Sequence, residues 1–548
     1  MALNILVVNP PYPGKREIVF MPLGLGYVIS ITEKQGHRVK VVDMHNLRLP
    51  MRILEKELRK DEYDLCFMGG FAMQVQGMRE VARLVRELSP RTTVVIGGVG
   101  VSDIPEIALD YTGASAVAIG ECEAVLPDML ASIEAGAPFE HVPTFVYKKN
   151  GNFVKNPKGP VQVDLDELPF PAFHHFDIEY ICKRSYNGEG SRSIHMMTSR
   201  GCPFRCSFCI NSVLNDNDFL KQLHGSIVDE RNNAAQRFRS PANIVKEIDF
   251  LRRNYGISDF HFADEEFITH KSRLFEVCDA IRPLGITWST SGRADWATEE
   301  KLHAMRTAGC RYVLFGVETG SQKMMDLMHK NAKKEKVILG LNSARKVGMN
   351  FIANFMFAHP GETEETIRET VEFCKKMDLV YLPTFTTLFP NSKMFHEYAS
   401  EKVKDWSSYF GTLAHIDFTN RPFINLTNID DQKLVKLRNR VIAETFAYKL
   451  VGLKRSRLAK ILRPILSTCL VVMDASPDWL RWFIRGIIRQ LLDFRPMPSS
   501  ATQIPPNELG QGFKALAESE TEDGYQVSLD LLQIDSPTSR ISKPGSRK

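Results

Sequence analysis

The chain holds no uncharged apolar run near the roughly 18 residues that a membrane-spanning helix needs, so no such span is expected. Cysteine is sparse, ten in 548 residues, too thinly spread for a disulfide framework. Charge of neither sign dominates: the balance is +5, which implies no nucleic-acid partner. No basic leader precedes the first apolar segment, because Met1-Ala-Leu-Asn4 runs straight into a strand-like stretch. These absences point to a reducing, cytoplasmic setting, with peripheral membrane contact left open. What is present is ordinary globular composition, 43% hydrophobic and 25% charged. At roughly 100–200 residues per domain, the length suggests three or four units.

Three of the cysteines share one loop. In Thr198-Ser-Arg-Gly-Cys-Pro-Phe-Arg-Cys-Ser-Phe-Cys209, residues Cys202, Cys206 and Cys209 have CxxxCxxC spacing. Three thiolates leave a structural zinc one ligand short. They can hold three irons of a 4Fe–4S cubane and leave the fourth iron open to another ligand. A zinc loop is the plainer alternative. Cys66, Cys122, Cys182, Cys278, Cys374 and Cys469 show no ligand spacing, and Cys310 reads as a small buried apolar residue.

Residues 1–140 alternate strands with helix-period segments. Leu3–Asn9, Arg38–Val42, Leu65–Met68, Thr93–Ile96 and Ala116–Ile119 are the strands, which argues for a parallel, doubly wound sheet. Gly69, Gly70, Gly97, Gly98, Gly120 and Glu121 follow strand ends, where open α/β sheets bind ligands and glycine lets backbone approach them. Tight turns alone would explain those glycines equally well. Residues 141–190 read as a connector, broken by Pro143, Pro157, Pro160, Pro169 and Pro171. Its His174-His175 pair finds no partner ligand at metal spacing, which leaves it in a linker.

A second alternation occupies 191–390. Strands at Ser193–Met197, Asp259–Phe262, Ile286–Thr290, Tyr312–Phe315 and Phe351–Met356 each lead into polar or glycine residues. Those residues include Asp264, Arg293, Gly316, Glu318 and His359, placed where β/α barrels keep their chemistry. Residues 211–240 are polar and read as an insertion or lid. Residues 391–495 turn helical, with one helix from about Asp430 to Leu453. From Lys449 to Arg495 ten basic residues stand against three acidic. There Leu480, Phe483, Ile484, Ile487, Ile488 and Leu491 form one apolar face, with Arg481, Arg485 and Arg489 alongside. Such a helix can lie on an anionic membrane or pack on the barrel or a second copy. Residues 496–548 are rich in Pro, Ser, Glu and Gly and read as a disordered tail.

The cysteine triplet, with Phe208 just before its last member, resembles the signature of the radical S-adenosylmethionine (SAM) enzymes. In that family SAM chelates the open iron, and reductive cleavage releases a 5′-deoxyadenosyl radical. Gly316-Val-Glu-Thr-Gly-Ser321 resembles the family's GxESGS-like segment, and the strand pattern resembles its partial (β/α)6 barrel. This implies SAM contacts for Phe208, Asp264, Arg293, Gly316 and Glu318. Ala263-Asp-Glu-Glu-Phe267 departs from the family's usual paired aspartates, and His359 replaces a common apolar residue. Pro10-Pro11, Pro22-Leu-Gly-Leu-Gly-Tyr27, Gly36-His37, Gly97-Gly98 and Gly120-Glu121-Cys-Glu123 resemble the flavodoxin-like cobalamin-binding domain that precedes many such barrels. Gly69, Gly70, Gly97, Gly98, Gly120 and Glu121 are then the expected corrinoid contacts. Asp43-Met-His45 only superficially resembles the DxHxxG cobalt-ligand motif, since Arg48 stands in place of its glycine.

The resemblance implies three cofactors: a 4Fe–4S cluster, SAM and cobalamin. The implied reaction is methylation of an unactivated carbon in a small or lipid-like substrate, with an electron donor such as flavodoxin or ferredoxin. A non-methylating oxidative ring formation and a corrinoid-binding sensor are the alternatives. The intact cysteine triplet weighs against the sensor, and the lack of a second three-cysteine set weighs against a methylthiotransferase.

Overall fold

The structure, a computed structural model, describes residues 2–12, 19–136, 139–140, 142–157, 164–184, 192–211, 236–416 and 421–451. The proposed basic amphipathic face, the tail and most of the 211–240 insertion lie outside these residues.

The first sheet is built from β1 (Asn4–Asn9), β2 (Arg38–Asp43), β3 (Leu65–Gly69), β4 (Thr93–Gly97), β5 (Ala116–Ala118), β6 (Phe145–Lys149) and β7 (Asn152–Lys155). Its order is β2-β1-β3-β4-β5-β6-β7, and the first five strands are parallel. That 2-1-3-4-5 order is the flavodoxin-like arrangement. Strand β1 is central and covered on both faces, so Ile5, Leu6, Val7 and Val8 are all fully buried. Each such side chain contributes roughly 1.5–3 kcal/mol relative to exposure, which is why the run reads as continuous apolar sequence.

The expected connector is not a plain linker. Strands β6 and β7 extend the first sheet antiparallel to β5, and a helix spans Ile178–Arg184. The hairpin turns at Asn150-Gly151, both at positive φ (53° and 82°). An Asn-Gly pair between strand-like runs is the strongest short hairpin signal, and the prolines around it masked it.

The second sheet contains β8 (Ser193–Met196), β11 (Asp259–Phe262), β12 (Thr287–Arg293), β13 (Cys310–Glu318), β14 (Asn350–Phe357) and β15 (Pro383–Phe385). Between β8 and β11 the short pair β9 (Ser199–Arg200) and β10 (Arg237–Phe238) forms its own antiparallel ribbon. The six main strands are all parallel in the order β15-β14-β13-β12-β11-β8, a partial barrel. Strand β15 was not foreseen, because three residues beginning with proline give almost no strand signal. Along β13, Val313, Phe315 and Val317 are buried whereas Tyr312, Leu314, Gly316 and Glu318 are only partly covered. Alternate side chains point to opposite faces, so the second set lines the barrel interior. The helix Pro241–Tyr255 shows how local chemistry frames these units. Ser240 Oγ accepts from the Asn243 amide, Pro241 opens the first turn, and Gly256 ends it at φ 63°.

The helices after the barrel return to the first sheet. Leu388, Phe395, Tyr409 and Phe410 are buried in the same core as Val94, Ile104 and Leu109. No helix among the described residues is long and apolar enough to cross a membrane.

Candidate active site at the cysteine loop

The cysteine loop leaves β9 through Gly201, at φ 87°. Its far side is pinned: the Ser207 amide donates to the Met328 carbonyl (3.0 Å), and the Ser207 carbonyl accepts from the Met394 amide (2.9 Å). Around these anchors Cys202, Cys206 and Cys209 are all partly exposed. Burial pushes the Cys202 thiol up to about 12 and Cys209 up to about 11. Burial also raises Cys206, opposed by the Lys330 and Arg293 cations. A bound metal reverses that balance, since a coordinating thiol is deprotonated. Among the described residues, the one set of three metal-type ligands with all atoms within 4.8 Å is Glu33, His174 and His175.

Arg293, at the end of β12, reaches this loop. Its Nη1 lies 3.7 Å from Cys206 Sγ, while Nε and Nη2 donate to Asp295 at 3.0 and 2.9 Å. The guanidinium sits 3.9 Å above the Phe204 ring centroid. Glu318 closes β13 in a left-handed conformation, φ 67°, a strained state for a non-glycine residue. It pairs at 3.4 Å with Lys330, which is almost fully buried. The β13–β14 register slips at this point, between Gly316 and Glu318. A Cβ on Gly316 would lie 2.5 Å from Glu318 Oε1, so glycine there leaves room for the carboxylate. Phe208 presents its ring edge-on to His359 at 6.3 Å.

Asp264, one of the expected SAM contacts, is buried. Its carboxylate is wholly buried, accepting from the Thr198 amide (2.7 Å), the Ser199 amide (3.1 Å) and Ser199 Oγ (2.7 Å). Arg273 approaches it at 3.4 Å. These partners hold the approach to the cysteine loop against the end of β11. The neighbouring Glu265 is exposed, yet the protein packed around it pushes its carboxyl up to about 7.

Glu121, an expected corrinoid contact, sits in an ion-pair cluster. It pairs with Arg200 (2.6 Å) and with Arg237, while Glu123 takes the other side of Arg200 (2.7 Å). Arg200 also stacks over Tyr27 at 5.0 Å. The end of β5 thus clamps the residue two positions before Cys202, joining the two sheets at the cluster loop. Gly120 turns at φ 69°. Gly69, Gly70, Gly97 and Gly98 meet at the ends of β3 and β4, where the Gly70 amide donates to the Gly97 carbonyl (3.4 Å). A Cβ on Gly98 would lie 2.8 Å from the Gly70 backbone, so close turn packing already requires glycine there. His45 lies beside Phe20 and Tyr12 at the end of β2, its ring 5.2 and 6.2 Å from theirs.

The barrel interior carries a polar row that the sequence pattern did not reveal. Tyr312, Ser289, His261 and His195 are successive register partners on β13, β12, β11 and β8. His261 Nδ1 and Ser289 Oγ are 2.9 Å apart, and the two imidazoles meet edge-on at 5.1 Å. Burial lowers His195 to about 3 and His261 to about 4, so both are neutral. Lys330 and Glu265 were also missed; no motif marks them, and the chain's return brings them to the loop. Nearby, His359 Nε2 and Ser321 Oγ are buried without any hydrogen-bond partner.

Residues 196–374 match the radical SAM superfamily and residues 14–130 match the B12 binding domain. The chain is 27% identical over 447 residues to an uncharacterised methyltransferase of Pyrococcus horikoshii, covering 79% of this chain and 90% of that protein. It is 25% identical to an anaerobic magnesium-protoporphyrin IX monomethyl ester cyclase of Rubrivivax gelatinosus, covering 74% of this chain and 72% of that one. A solved structure of the cobalamin-dependent SAM radical enzyme OxsB, with aqua-cobalamin and SAM bound, shares the fold. Its TM-score is 0.62 at 18% identity, over 89% of this chain and 75% of that one.

Proposed function

We propose that this radical SAM enzyme with an N-terminal B12 binding domain methylates a carbon that has no lone pair, in a small or lipid-like substrate. The observation that carries the reading is the joining of the two units at one loop: Arg200, clamped by Glu121 and Glu123 of the first sheet, leads directly into Cys202, Cys206 and Cys209. The methyltransferase relative supports it.

In this reading the three cysteines hold the 4Fe–4S cluster, and Phe208, Arg293, Gly316 and Glu318 surround SAM. The glycine turns at Gly69, Gly70, Gly97, Gly98 and Gly120 approach the corrinoid. When bound, these groups supply a carbon-centred radical oxidant and a transferable methyl group, the chemistry that lies beyond side chains. The chain's own part is to hold and aim. Arg293, fixed by Asp295, keeps a positive charge beside the Cys206 sulfur. The Glu318–Lys330 pair orders the end of β13. His261, Ser289 and Tyr312 offer neutral hydrogen-bonding groups to a substrate in the barrel interior. A small electron-transfer protein such as flavodoxin or ferredoxin supplies the electron.

Product analysis tests this. Anaerobically reconstituted enzyme is given SAM, cobalamin, reductant and candidate extracts, and 5′-deoxyadenosine and S-adenosylhomocysteine are quantified together. A matched, extract-dependent rise in both is expected. A rise in deoxyadenosine alone would replace methylation by oxidative ring formation, the second reading that the cyclase relative favours. Alanine at Cys202, Cys206 and Cys209 should abolish both products and leave cobalamin bound; retained turnover would refute the mechanism.

A further inference from the structure

A cluster of metal-type ligands lies away from the cysteine loop. Glu33 comes from the last turn of the helix Leu23–Lys34, and His174 and His175 come from a single 3-10 turn 141 and 142 residues later. His175 Nε2 lies 2.7 Å from Glu33 Oε1, His174 Nε2 lies 3.4 Å from the same carboxylate, and all three ligand atoms fall within 4.8 Å of one another. The sequence alone gave the histidine pair no partner; the fold delivers one.

The scaffold beneath these ligands is closely packed. One face of the helix meets the connector repeatedly before Glu33. Gly26 carbonyl accepts from the Ala172 amide at 3.0 Å, and Ser30 Oγ donates to the Phe170 carbonyl at 2.6 Å. A Cβ on Gly26 would lie 2.8 Å from Pro171 Cβ, so the two segments touch backbone to ring. Phe173, the first residue of the 3-10 turn, is 1% exposed and anchors it in the core. Both histidines are thereby held with their Nε2 atoms toward one carboxylate, their ring centroids 4.4 Å apart.

We propose that Glu33, His174 and His175 form a binding site for a borderline divalent cation of the zinc class, tying the connector to the B12 binding domain. Two imidazoles and one carboxylate are a donor set that selects such ions over magnesium or calcium. Ligands on a tetrahedral zinc stand about 3.4 Å apart, so the His174–Glu33 separation of 3.4 Å already matches, and the 2.7 Å His175–Glu33 contact has to open by about 0.7 Å. The His174 side chain is 61% exposed and Glu33 33%, so water can complete the coordination. The plainer alternative is a metal-free hydrogen bond between Glu33 and His175.

The test uses untagged, cluster- and cobalamin-loaded enzyme titrated with zinc sulfate, with zinc and iron per chain determined by elemental analysis. One tight equivalent of zinc with unchanged iron is expected. Zinc affinity should fall at least about tenfold in Glu33→Gln and in His174→Ala. His174 is the most exposed of the three ligands, so the second variant keeps the fold, as circular dichroism would verify. The zinc-edge absorption spectrum should show nitrogen and oxygen neighbours alone. No zinc uptake, equal affinity in the variants, or sulfur in the zinc shell would each overturn the site.

Discussion

Single residues show where burial and function meet. Glu362, at the turn after β14, accepts from the Ala358 amide, and burial pushes its carboxyl from 4.5 up to about 8. It is therefore neutral in the folded protein at pH 7 and ionised in the unfolded chain. A carboxyl raised in this sense binds a proton more tightly when folded, so its contribution to stability is complete below about pH 4.5. That contribution declines as the pH rises toward 8 and is gone above it. Glu362→Gln should flatten the loss of thermal stability across that window; an unchanged pH profile would show the carboxyl to be ordinary. Residue roles were the least legible part of the sequence. Asp264 and Glu121 stand in recognisable segments, yet one is saturated by Thr198, Ser199 and Arg273 and the other is committed to Arg200 and Arg237. A carboxylate's partners come from strands far apart in sequence, and spacing within a motif carries no record of them.

Elements were easier to read, and the misses have local causes. Strands buried on both faces, such as β1, announce themselves as unbroken apolar runs. Strand β15 is three residues long at a sheet edge and does not. The β6–β7 hairpin was hidden by prolines on either side, although Asn150-Gly151 adopts the left-handed pair that a two-residue turn demands. Gly151→Val places a β-branched residue at φ 82° and should cost about 1–2 kcal/mol. A lowered thermal midpoint with full iron and cobalamin content is the expected outcome. No change would mean that the turn relaxes without strain.

At the scale of the whole molecule, the two sheets are joined by polar struts as well as by packing. Arg200 bridges to Glu121 and Glu123, and His396 meets Asp103 at 2.6 Å while the Asn391 side chain accepts from the Asp103 amide. The helices after the barrel bury Phe395 and Phe410 in the first sheet's core, so the segment from 391 to 416 works as a clamp between the sheets. Residues beyond 451 add the basic, apolar-striped stretch. If it lies on anionic lipid, deleting residues 449–495 should reduce sedimentation with anionic liposomes; undiminished binding would assign the stretch to protein packing. The sequence by itself determined the two α/β alternations, the cysteine triplet and the glycine-rich strand ends, because period, ligand type and backbone freedom are properties of neighbouring residues. Only the tertiary structure decided which carboxylates are tied up by arginines and backbone amides, which imidazoles line the barrel, and that Glu33 meets His174 and His175. Those are encounters between distant segments, set by sheet register and crossover packing, and no short stretch of chain encodes them.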